Sequence, residues 1–135
     1  LEAFMLFTHV ESSDHFLIRV EVGASSIEGA RFVQALKPGG RLDFGHLLSR
    51  RDKVRPQGVD HLAIDLDADA AAALSAAAAG KVDLHIVYLW TDGSHLGTWH
   101  VAGAQISEPR AALSEVEDDA VRVAFDVDAV TFEEA

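Results

Sequence analysis

Hydrophobic and polar positions alternate with period two along most of the chain, which is the mark of half-buried strands. Phe4–Val10 and Phe16–Val22 are two such runs, joined by the polar turn Glu11-Ser12-Ser13-Asp14. In the second run Phe16, Ile18, Val20 and Val22 face one way, and Arg19 and Glu21 the other. Arg41–Leu48 alternates again through Leu42, Phe44, His46 and Leu48. His61–Asp67 places Leu62, Ile64 and Leu66 inward and His61, Asp65 and Asp67 outward. Lys81–Trp90 is a long strand whose second half, from Val87, is apolar on both faces, which requires burial on both sides or an interface. Thr91-Asp92-Gly93-Ser94 is a hairpin turn that returns the chain through Thr98–Ile106. After a polar loop over 108–119, Ala120–Phe132 closes the chain, and its change of parity predicts a bulge at Asp128-Ala129.

Two segments break the alternation. Ala68–Ala79 is a helix: Asp67 is placed to cap it, Asp69 lies in its positive first turn, and Gly80 can adopt the left-handed position beyond its end. With Leu74 as its one large apolar residue, this helix is expected to lie close against a sheet or barrel mouth. Residues 25–36 read as a second short helix, because Ser25 and Glu28 fit a capping box and Ile27, Ala30, Val33 and Leu36 share a face. Gly29 and Arg31-Phe32-Val33 favour a strand there instead. About seven to eight strands with one Ala-rich helix describe a mainly β fold, a small β-barrel or two-sheet sandwich. No repeat or boundary divides residues 1–135, so a single domain is expected.

Composition narrows the chemistry. The 135 residues carry a net charge of −11 and no Cys, which removes disulfides and thiolate chemistry and argues against direct nucleic-acid binding. No apolar run reaches the length of a membrane helix, so no membrane insertion is expected. Residues 1–60 hold eight acids and eight bases, whereas residues 61–135 hold fourteen acids against Lys81, Arg110 and Arg122. Such halves can meet head to tail in a homo-oligomer, or the acidity can simply maintain solubility. The only basic cluster, Arg50–Arg55, lies in a Pro- and Gly-marked loop without interleaved aromatic residues. Leu1-Glu2-Ala3 opens without a signal-peptide pattern, which suits a cytoplasmic protein or a component of a virion or secreted particle.

Candidate sites are few. Asp65, Asp67 and Asp69 imitate the start of a calcium loop, but Ala70 replaces its sharp-turn Gly and Ala76 its bidentate Glu. His85, His95 and His100 fall on one hairpin, where imidazoles can gather on a metal, yet their spacing matches no known ligand motif. Asp43 or Asp83 could serve as a buried general base, although each is expected on an outward face. Tyr88, Trp90 and Trp99 could wall a ligand pocket near Phe125, or fill a core. There is no nucleophile elbow and no phosphate loop, so no catalytic residue, cofactor or metal is assigned and a non-enzymatic role is favoured.

The order of elements from residue 59 onward resembles the tube-forming proteins of phage tails and of type VI secretion, the haemolysin-coregulated protein family. The resemblance rests on Val59–Asp67, Ala68–Gly80, Lys81–Trp90, Thr98–Ser107 and Ala120–Phe132, taken as strand, helix, strand, hairpin return and closing strand. It implies a bacterial or phage β-barrel that packs edge to edge into rings stacking as a hollow tube. The N-terminal half departs from that pattern if residues 25–36 are helical, since a long extended loop is expected there. Two other classes stand beside it: a small-molecule-binding barrel in which one carboxylate or His does acid–base chemistry, and an acidic adaptor or inhibitor of a basic partner.

Overall fold

A computed structural model of the protein describes residues 17–37, 40–43, 58–107, 116 and 119–134. The expected strand Phe4–Val10, the turn after it, the second half of Arg41–Leu48, the basic segment 50–57 and nearly all of the 108–119 loop lie outside the described residues. The fold is mainly β. Its strands are β1 (Leu17–Val22), β2 (Ser25–Lys37), β3 (Gly40–Asp43), β4 (His61–Asp67), β5 (Val82–Leu89), β6 (His95–Ser107), β7 (Ala120–Asp126) and β8 (Ala129–Glu134). The helix α1 (Ala68–Ala77) stands between β4 and β5.

The strands form one antiparallel sheet with neighbours in the order β1-β5-β6-β7-β4-β2, and β2 pairs β1 again, so the sheet rings its own core. This is the expected small barrel or sandwich. β2 and β6, 13 residues each, make the ring possible by changing partner along one edge. β2 pairs β1 through residues 25–30 and β3 through residues 34–37, with β4 opposite. β6 pairs β8 through residues 97–102 and β7 through residues 105–107, with β5 opposite.

Residues 25–36 are therefore strand and not helix. Gly29 sits at φ 95°, a left-handed conformation that interrupts a helix but suits a β-bulge, and the register shifts on both edges of β2 around it. The β-favouring Ile27 then pairs Val20 on β1, and Phe32 and Val33 pair Asp65 and Ile64 on β4, which outweighs the local Ser25–Glu28 capping signal. The helix over 68–77 forms where expected, burying Ala70, Ala71 and Leu74 against the ring. Asp67 takes the N-cap position but makes no side-chain cap; its carboxylate accepts hydrogen bonds from Arg31 at the bulge, and Asp119 accepts another at 2.7 Å. Gly80 adopts its left-handed conformation past the helix, at φ 79°.

The expected bulge at Asp128-Ala129 is a complete break between β7 and β8. The chain leaves β4 for β6 there, and the two linking amides find other acceptors: Val127 donates to the Asp60 carbonyl and Asp128 to that of Ala102. β8 then lays Phe132 beside Trp99, ring centres 4.5 Å apart, directly over Gly97.

β4 is buried on both faces. Leu62, Ile64 and Leu66 face the core, while the outward Ala63 and Asp65 are 0% and 3% exposed. Asp65 expects water from its parity and instead meets Arg122, its register partner on β7: Nε to Oδ1 is 2.8 Å and Nη2 to Oδ2 is 3.2 Å, a two-point contact. Both side chains are almost completely buried. A buried pair of this kind adds little over an apolar one, but either partner left alone is a desolvated charge. Asp65→Asn or Arg122→Met alone should cost about 3–5 kcal/mol in denaturant unfolding, while the Asp65→Leu/Arg122→Met double variant should recover most of that loss. Gly97→Val should cost about 1–3 kcal/mol, because a Cβ there overlaps the Phe132 ring and β8 must shift.

Candidate functional site

Among the described residues, the large side chains facing the inside of the ring are packed away from solvent. Trp99, Tyr88, Phe125, Leu84 and Ile86 are each exposed by 1% or less, so the aromatic residues considered as a pocket wall are core. Trp90 packs partly buried against the same cluster. Val87, on the outward face of β5, is buried within the chain itself, as the doubly apolar pattern required.

The carboxylates considered for chemistry are occupied or exposed. Asp65 and Asp67 are engaged by Arg122 and Arg31, and Asp69 lies exposed on the helix, so the calcium-loop imitation places two of its three acids in ion pairs. Asp83 is exposed and accepts a hydrogen bond from the Gly103 amide at 3.1 Å. Neither arrangement is that of a buried general base. The side chain of Asp43 lies outside the described residues; its backbone pairs in register with Gln34.

Two of the three hairpin histidines do converge. His85 on β5 and His100 on β6 are register partners on the outer face, with ring centres 4.6 Å apart and planes at 77°. A carboxylate stands at each end of the pair. Glu21, the register partner of His85 on β1, has Oε1 4.0 Å from His85 Nδ1, an ion-pair distance too long for a hydrogen bond. Glu133 on β8 has Oε1 2.6 Å from His100 Nε2, and Arg19 Nε donates to Glu21 at 3.1 Å. A single line of charged and titratable groups, Arg19–Glu21–His85–His100–Glu133, thus crosses four adjacent strands. His95 is not part of it: nearer the turn, its Nε2 lies 2.9 Å from Thr98 Oγ1.

The meeting of His85 and His100 was legible in the turn, because His85 lies seven residues before Asp92 and His100 seven after Gly93. Glu21, Glu133 and Arg122 carried no such local signal, since each arrives from a strand remote in sequence. Among the described residues no three His, Asp or Glu side chains converge on one cation position.

The turn that sets this register is itself held by electrostatics. The Ser94 hydroxyl and amide donate to Asp92 Oδ1 at 2.6 and 2.9 Å, holding the Asp92 carboxyl below its ordinary range. A carboxyl depressed in the fold stabilises it above its unfolded value of 3.8, and that contribution disappears as pH falls through the lower folded value. The Asp92 contribution to the hairpin tip should therefore persist above the ordinary carboxylate range and be lost only in stronger acid, and Asp92→Ala should remove that acid step from the Ser94 amide shift.

No helix among the described residues is long and apolar enough to cross a membrane. Comparison of the chain with protein-family models, with curated proteins and with solved structures finds no match.

Proposed function

We propose that this chain is a non-enzymatic structural subunit that self-assembles into rings or a tube, in the manner of the tail-tube and type VI secretion tube proteins that its element order resembles. The observation that carries this reading is the state of two strand edges. Six strands close a ring in which each has partners on both sides, yet among the described residues β3 pairs only β2 and β8 pairs only β6. Strands left with one free row of N–H and C=O groups invite another chain.

Charge supports a head-to-tail pairing of those edges. β8 ends in Glu133-Glu134 within the acidic half, while β3, itself balanced by Arg41 and Asp43, lies between Lys37 and the Arg50–Arg55 cluster in sequence. Opposite potentials orient such an encounter, and a heterologous contact of this kind closes into a ring or grows into a filament. The packing of these large side chains away from solvent weighs against a barrel that encloses a small molecule near Trp99 and Phe125. An assembling subunit of this class would work in the cytoplasm or within a virion or secreted particle.

Light scattering coupled to size exclusion, with negative-stain images of the peak at low and moderate salt, tests the reading. Rings or tubes are expected. A monomer that persists at high protein concentration would contradict it.

A further inference from the structure

We infer that His85 and His100 form a two-imidazole site for a divalent first-row transition ion, for which zinc serves as the probe. Imidazole nitrogen suits zinc, nickel and copper, whereas magnesium and calcium require oxygen ligands. Four features support the pair as an ion site. The two residues occupy directly opposed positions on β5 and β6, so the sheet fixes the distance between their backbones. An ion about 2.0–2.1 Å from one nitrogen of each ring sets the ring centres about 5 Å apart; the rings meet edge to face at 4.6 Å, so each side chain must rotate to aim a nitrogen at one ion. Both side chains reach solvent, at 50% and 37% exposure, so each ring can turn toward an incoming ion.

The fourth feature is the flanking carboxylates. A metal-bound imidazole commonly donates its other N–H to a carboxylate, which fixes the tautomer and raises the basicity of the ligating nitrogen. Glu133 stands at hydrogen-bond distance from His100 Nε2, which assigns His100 Nδ1 as its ligating nitrogen, while Glu21, 4.0 Å from His85 Nδ1, adds negative charge beside the pair without fixing which nitrogen of His85 binds. With no third His, Asp or Glu converging among the described residues, water fills the remaining positions and the site stays open to an external ligand. An ion held there ties the two sides of the β5–β6 hairpin together and adds to the fold by mass action. At a free concentration 100 times its Kd, the unfolding equilibrium constant falls about 100-fold.

Calorimetric titration of Zn²⁺ into tag-free protein tests this, with Mg²⁺ as the control ion. One saturable site is expected for the wild type and for His95→Gln, with no heat from Mg²⁺. His85→Gln and His100→Gln should each weaken Zn²⁺ binding at least about 10-fold, and Glu133→Gln by about 10-fold through loss of the orienting carboxylate. All three side chains are solvent-exposed to a substantial degree, so the variants should keep the wild-type circular dichroism. Wild-type affinity in both His variants would place the ion on other histidines and overturn the inference. Absence of saturable Zn²⁺ uptake by the wild type would overturn it equally, and full affinity in Glu133→Gln would remove the carboxylate from the site.

Discussion

Closure of the sheet on itself is the constraint from which the other features follow. A strand in a closed ring must bond on both edges, and six strands of unequal length achieve this with β2 and β6 each serving two partners along one edge. That requirement explains Gly29, whose left-handed backbone lets the register of β2 slip between partners. It also explains the break at Val127-Asp128, where the chain passes from the β4 side to the β6 side of the ring. Among the described residues the ring closes around Trp99, Tyr88 and Phe125, with β3 and β8 flanking it.

The period-two pattern made most of this legible. β1, β4, β5, β6 and β7 fall where alternation places them, and the Ala-rich helix begins at Ala68 as the Asp67 signal implies. Residues 25–36 were ambiguous because the capping signal of Ser25 and Glu28 is local, whereas the pairing of β2 with β1 and β4 is not. Asp65 shows a different limit. Alternation correctly predicts its outward direction but cannot say that the outward face is covered, nor that Arg122, 57 residues away, arrives beside it. Parity is written in the chain; burial is decided by what packs over it.

The electrostatic organisation divides by depth. The Asp65–Arg122 pair is desolvated and rigid, and makes β4 and β7 interdependent through side chains as well as through the ladder. Arg31 joins the β2 bulge to the start of α1 and to Asp119 at the surface, where water screens each contact. The line from Arg19 to Glu133 crosses β1, β5, β6 and β8 on the outer face. Its two imidazoles were separately legible from the turn, while the carboxylates that flank them depend on the closed sheet.

In the proposed assembly the second edges of β3 and β8, unpaired among the described residues, are met by neighbouring copies while the ring itself stays unchanged. Amide hydrogen exchange at low and high protein concentration tests that claim most directly. The account predicts that β4 amides stay protected throughout and that β3 and β8 amides gain protection as concentration rises. Equal exchange of β3 and β8 at both concentrations would contradict it.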